Sequence, residues 1–329
     1  MARRWFASLL LFLLVVPVIA ACGAPAAATK PAEIRLDYAY YNPSSLVLRK
    51  FGWLEEDLKA DGIKVTWVLS AGSNKANEFL RSDAVDFGST AGAAALLARA
   101  NGSPIQTVYV FAKPEWTALV VGKDSSITSV ADLKGKKIAA TKGTDPYFFL
   151  LRSLNEAGLS SADVEVVNLQ HADGRVALER GQVDAWAGLD PHMAKTELES
   201  GAKLLYRNID FNSYGFLNAR EAFLKQHPEY VTRVLKQYER ARNWILENPD
   251  EAAQILADEA KLSLEVAKLE LEQRMVLTSS VVPGAEHAAV LSAIIPIFKA
   301  ENQVKPEVDV EAELKALFAP QFSQQLAQK

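Results

Sequence analysis

One cysteine, Cys22, stands in 329 residues, so no disulfide can form within the chain. Histidine is nearly as scarce: His171, His192, His227 and His287 are the four. None has an acid or a nucleophile at a catalytic spacing, and no HExxH, GxSxG, GxxxxGKS/T or paired CxxC occurs. The chain is therefore read as no enzyme, with no cofactor and no metal, and its histidines as surface or capping residues. No long run of one charge exists. Lys plus Arg total 36 and Asp plus Glu 40, a net charge of -4, which argues against a nucleic-acid partner. A fixed-period repeat and an internal low-complexity tract are also missing. What is present is 49% hydrophobic, enough for one large core or two ordinary ones.

The one long apolar run lies at the start. Arg3 and Arg4 precede Leu9 to Ile19, which is short for a membrane span, and Ala20, Ala21 and Cys22 follow. This is a secretory signal layout. Ile19-Ala20-Ala21-Cys22 resembles a bacterial lipobox, in which the cysteine thiol receives diacylglycerol after export. Cleavage before Cys22 removes two Arg and no acid, so the mature charge goes from -4 to -6. Residues 1–21 thus read as a lipoprotein signal peptide. Residues 22–32, Ala-rich with two prolines, read as a flexible tether to a lipid on Cys22.

Beyond the tether, strand and helix patterns alternate. Strands are expected at 34–40, 64–69, 85–87 and 105–111, with helices at 44–59, 75–82 and 93–100 between them. A second series starts after Pro114, with strands at 117–122, 137–140, 164–168, 184–187 and 202–206 around helices at 147–157, 173–180 and 191–200. After Phe211 the pattern is mostly helical: 220–226, 228–247, 250–260, 263–271, 286–301 and 310–317. Such alternation argues for βαβ units and largely parallel sheets, as two α/β lobes with a cleft between them.

The strand-to-helix junctions carry the chemistry. Asn42-Pro43-Ser44-Ser45, Gly72-Ser73-Asn74 and Gly88-Ser89-Thr90 follow strands of the first series. Gly143-Thr144-Asp145 and Gly188-Leu189-Asp190 follow strands of the second. Ligands bind at the carboxyl ends of strands in such sheets, and helix starts suit anions. The same residue types are the preferred N-caps of any helix, so the junctions alone leave capping and ligand binding both open. Tyr41, Trp116, Tyr147 and Trp186 stand at the same edges, either covering a ligand's apolar part or packing in the core.

Asp86-Phe87-Gly88-Ser89-Thr90, Ser129-Val130-Ala131-Asp132-Leu133-Lys134-Gly135-Lys136-Lys137, Arg180-Gly181-Gln182-Val183-Asp184-Ala185-Trp186 and Leu189-Asp190-Pro191 together resemble the ABC-transporter periplasmic binding proteins for aliphatic sulfonates, nitrate and taurine. The sulfonate branch is the most similar, from about Ile34 to Leu256. The resemblance implies a two-lobed periplasmic-binding-protein type II fold, α/β, with a hinge of two crossover segments and a helical C-terminal part. Lobe one would be 33–111 plus 207–329, and lobe two 112–206.

The resemblance also implies a small organic anion seated on Tyr41, Asn42, Ser44, Ser45, Gly72, Ser73, Ser89 and Thr90. Thr144, Trp186, Gly188 and Asp190 would close over it, with Trp116, Asp145 and Tyr147 alongside. Partners would be an ABC permease with its ATPase and the membrane through Cys22. The protein would be a monomer on the periplasmic face or cell surface. Asp145 departs from the family pattern. With Asp190 it is expected either to cap a helix or to favour an amine-bearing ligand such as taurine. A taurine, sulfate-ester or nitrate receptor, a thiamine-pyrimidine-synthase-like enzyme and a receptor for a sensor protein are the other readings.

Overall fold

Eleven strands are present among residues 30–326, the part that the computed structural model describes. Cys22, the signal segment 1–21 and most of the tether 22–32 lie outside the described residues. The strands are β1 (Glu33–Tyr38), β2 (Lys64–Leu69), β3 (Phe87–Ala91), β4 (Ile105–Pro114), β5 (Leu119–Val121), β6 (Lys137–Ala140), β7 (Glu165–Asn168), β8 (Ala185–Ala187), β9 (Lys203–Tyr206), β10 (Gly215–Arg220) and β11 (Met275–Val276). They form two sheets, ordered β11-β4-β10-β3-β1-β2 and β7-β6-β8-β5-β9, one in each lobe.

The expectation of largely parallel sheets needs correction. β1 runs parallel to β2 and β3, and β6 to β7 and β8. β10, however, lies antiparallel between β3 and β4, and β5 lies antiparallel between β8 and β9. Each of these two strands begins just after the chain has crossed between lobes, so it enters its sheet from the cleft side. β10 lies in the part read as mostly helical, in a stretch before Arg220 for which no element was expected. Its first five residues are all buried, because strands flank it on both edges and helices cover both faces, so no alternation shows.

Helix bounds follow local chemistry. The stretch 44–59, expected as one helix, is two, Pro43–Phe51 and Trp53–Leu58, because Gly52 takes the left-handed conformation at φ 64°. Similarly, 286–301 splits into Ala285–Ser292 and Ile295–Ala300, with Pro296 in the first turn of the second helix. The helix Pro228–Glu247 buries Tyr230, Val231, Val234, Leu235, Tyr238, Ala241 and Ile245, a stripe at helical spacing against the first lobe. Each large apolar side chain so buried contributes about 1.5–3 kcal/mol.

Two crossovers join the lobes, from β4 to β5 and from β9 to β10. The expected divisions at 111/112 and 206/207 fall inside β4 and directly after β9. The crossovers are tied to each other: Arg207 pairs with Glu115 at 2.7 Å, and the Thr117 N–H donates to Asn212 Oδ1 at 3.0 Å. β11 pairs with the Lys113–Pro114 end of β4, which adds a third strand to the hinge.

Candidate functional site

The carboxyl ends of β1 and β2 deliver Tyr40, Tyr41, Ser70 and Ala71 to the cleft. From the second lobe, the segment after β7 delivers Gln170 and His171, and the segment after β8 delivers Leu189, Asp190, Pro191 and His192. Together with Leu69 and Ala172 they enclose a cavity of about 180 Å³ between the lobes. Gly72 brings the lobes into contact, since a Cβ placed on it would lie 2.9 Å from His171 Nε2. Gly72 is the N-cap of helix Ser73–Arg81, so this helix start faces lobe two.

Of the expected ligand residues, Tyr41 and Asp190 line this cavity. Most of the hydroxyls are committed elsewhere. Ser45 Oγ donates to Asn42 O at 2.6 Å, and Ser73 Oγ accepts from Ala91 N at 2.9 Å. Thr144 Oγ1 donates to Thr141 O at 2.6 Å. Ser89 and Thr90 stand within β3 rather than at a helix start, because β3 pairs with β10 as far as Ala91. Ser89 Oγ and N donate to Asp37 Oδ1, both at 2.8 Å, Asn42 Nδ2 donates to Ser89 Oγ at 2.8 Å, and Asn218 Nδ2 donates to Thr90 Oγ1 at 2.7 Å. Burial pushes the Asp37 carboxyl up to about 6 against these bonds. Ser44 is fully buried, and its Oγ meets no partner among the described residues.

The aromatic expectations divide. Tyr41 lines the cavity, while its hydroxyl donates to Ser89 O at 2.9 Å. Trp116 is 1% exposed and packs edge-on against Tyr41, behind the cavity wall. Trp186 lies in the core of lobe two with Val120, Ala139 and Met193, because its side of β8 faces inward. Gly188 is closed in by Val120 and Met193. Tyr147 packs against Phe148 in the apolar cluster under helix Asp145–Glu156.

Neither aspartate offers a free carboxylate to an amine. Asp145 accepts from Trp116 Nε1 at 2.9 Å, from Ser213 N at 2.8 Å and from Ser213 Oγ at 2.6 Å. It therefore holds the hinge, since Trp116 and Ser213 belong to the two crossovers. Asp190, one residue before the N-cap Pro191, accepts from Ala194 N at 2.8 Å in the first turn of the helix His192–Ser200. It also pairs with Arg274 at 3.1 Å, both groups being buried. Burial raises its carboxyl to about 6, with Arg274 opposing the rise. The other arm of Arg274 binds Glu197, so this arginine ties the C-terminal part of lobe one to lobe two.

Glu270 sits one turn before Arg274, fully buried, and neither carboxyl oxygen meets a partner among the described residues. Burial, with Asp190 nearby, pushes its pKa well above the ordinary value. The folded chain thus keeps a proton that the unfolded chain releases above its own pKa, so this group costs stability as pH rises. Each unit of the rise is about 1.4 kcal/mol. Glu270→Gln should stabilise the fold at pH 7.5 by about 1 kcal/mol or more, with the gain vanishing toward pH 4. Urea unfolding at the two pH values checks this.

Ser70 and Gln170 are not among the expected ligand residues, and His171 and His192, expected near the cleft edge of lobe two but as surface or capping residues, line the cavity. The junction rule covered Gln170 and His171, which follow β7 as the other sets follow their strands. His171 is not a surface residue: it is 1% exposed, and burial draws its pKa down to about 3. Among the described residues, no group of three or more His, Cys, Asp or Glu could hold a metal ion, and no helix is long and apolar enough to cross a membrane.

The likeness to known proteins runs along most of the chain. A protein of Bacillus subtilis (strain 168) named for binding aliphatic sulfonates is 30% identical over 266 residues, 79% of this chain and 80% of that one. The alkanesulfonate-binding protein from Xanthomonas axonopodis pv. citri, solved bound to MOPS, is 28% identical with a TM-score of 0.79, covering 87% of this chain and 99% of that one. The periplasmic aliphatic sulphonate binding protein from Escherichia coli is 27% identical with a TM-score of 0.75, covering 88% and 93%. Residues 53–252 match the family model described as NMT1/THI5 like, and the chain belongs to that family.

Proposed function

We propose that this chain is the substrate-binding component of an ABC importer, and that it captures a small aliphatic sulfonate in the interlobe cavity. The observation that carries this reading is the likeness, over nearly the whole of both chains, to a protein solved with a sulfonate, MOPS. It is joined to a cavity of about 180 Å³ between two hinged lobes. The sulfonate sits on the lobe-one side of the cavity, beside Ser70 and Ala71 and toward the Gly72–Ser73 helix start, where the positive end of the helix dipole favours an anion. The organic tail points to lobe two. Closure of 112–206 on 33–111 plus 207–329 buries the ligand, and the permease docks on the closed form. No bond is made or broken.

A thermal-shift panel of ethanesulfonate, taurine, a sulfate ester and nitrate tests the ligand class. A ligand at 100 times its Kd stabilises the fold by about 2.7 kcal/mol, a clear rise in melting temperature. No rise with any sulfonate would sink the proposal.

The exported chain is held at the membrane by lipid on Cys22. Cys22→Ala is expected to move the protein from the membrane to the soluble fraction without changing ligand binding. Retention of this variant in washed membranes would remove the anchor from the account.

A further inference from the structure

The protonation of His171 is fixed by its neighbours. Thr141 Oγ1 carries one hydrogen and donates it to Leu169 O at 2.7 Å. What Thr141 offers His171 Nδ1, 3.1 Å away, is therefore a lone pair. Nδ1 must carry the ring proton, and Nε2 presents a bare lone pair. Nε2 is buried, meets no partner among the described residues, and faces Gly72 across the cleft. The ring stays neutral, because burial and the neighbouring His192 both hold its pKa down. Gln170 Oε1, beside it, is also buried and unpartnered. The lobe-two side of the cavity thus holds one fixed neutral acceptor, His171 Nε2, with the Gln170 amide beside it.

A plain alkyl tail placed there would leave Nε2 buried and unpaired, and a missing partner at a buried polar group is costly. Resting on the sulfonate reading of this cavity, we propose that His171 is a specificity-determining residue. It selects small sulfonates that carry a hydrogen-bond donor on the carbon chain, a hydroxyl or an amine, over plain alkanesulfonates. The hydroxyl is the better fit. An ammonium brings a charge into the cavity, and the carboxylate that lines it among the described residues, Asp190, is committed to Arg274 and to its helix.

Calorimetric titration of the exported chain with ethanesulfonate, 2-hydroxyethanesulfonate and taurine tests this. The hydroxylated ligand should bind at least about tenfold more tightly than ethanesulfonate, a difference of about 1.4 kcal/mol. His171→Leu should bring the two together by weakening the hydroxylated ligand. The wild-type comparison stands even if that variant folds poorly. Taurine binding tightest would keep the donor requirement and name the amine as its source. Equal binding of ethanesulfonate and its hydroxy derivative overturns the proposal while leaving the sulfonate reading intact. So does an uptake of one proton per ligand that His171→Leu abolishes, measured in buffers of different ionisation enthalpy, because it would place a proton on Nε2. If no sulfonate binds at all, the reading of the cavity falls, and this proposal with it.

Discussion

Asp145→Ala should lower the free energy of unfolding by roughly 3–5 kcal/mol. The carboxylate is 1% exposed and accepts three hydrogen bonds, from the indole N–H of Trp116 and from the backbone and hydroxyl of Ser213. Alanine leaves three donors buried without an acceptor, each at a cost of about 1–3 kcal/mol before relaxation. Trp116 and Ser213 lie on different crossovers, so the loss also loosens the hinge. Asp145→Asn keeps the shape and one acceptor oxygen, but turns an N–H group toward donors, and should cost less than alanine. Urea unfolding at neutral pH reads both. A loss below about 1 kcal/mol for alanine would show that the clamp does not hold the crossovers.

The second large effect concerns closure. Gly72 has φ 166° and ψ 166°, extended backbone open to any residue, so the position is not conformationally restricted. The restriction comes from the opposite lobe. A Cβ would lie 2.9 Å from His171 Nε2 and from Asn74 Oδ1, closer than van der Waals contact allows. His171 has little freedom to retreat, because it is buried and bonded to Thr141. Gly72→Leu should therefore hold the lobes apart and weaken ligand binding at least about 100-fold, near 2.7 kcal/mol. Gly72→Ala should act in the same direction with a smaller effect. Unfolding free energies should stay within about 1 kcal/mol of wild type, because the contact with His171 exists only between closed lobes and the Asn74 side chain can turn away. Calorimetry with the ligand found by thermal shift measures the first quantity and urea unfolding the second. Unchanged affinity in Gly72→Leu would place the binding site elsewhere.

The two lobes and most of their helices were legible because period-2 and period-3.6 patterns are local. Helix Pro228–Glu247 and strand β2 fall at their expected bounds for that reason. β10 was not legible: flanked on both edges and covered on both faces, its residues show no alternation to read. The cavity lies where the rule of place puts it, at the carboxyl ends of strands, but the rule does not name its residues one by one. Whether a hydroxyl at such a junction caps a helix or meets a ligand depends on partners distant in sequence. Ser73 bonds to Ala91, Thr90 to Asn218 and Asp145 to Ser213, and no local pattern encodes those pairings. Asp190 shows the same limit, since its partner Arg274 lies 84 residues away. His171 falls at the cleft edge in the sequence, but without a catalytic spacing it reads there as a surface or capping residue. Its importance lies in Thr141 on one side and Gly72 on the other.

A crystal structure with 2-hydroxyethanesulfonate tests the central claim most directly. One ligand is expected between the lobes, inside the space bounded by Tyr41, Ser70, His171 and Asp190, with its sulfonate toward the Gly72–Ser73 helix start. A sulfonate bound outside that space, or none bound between closed lobes, would contradict it.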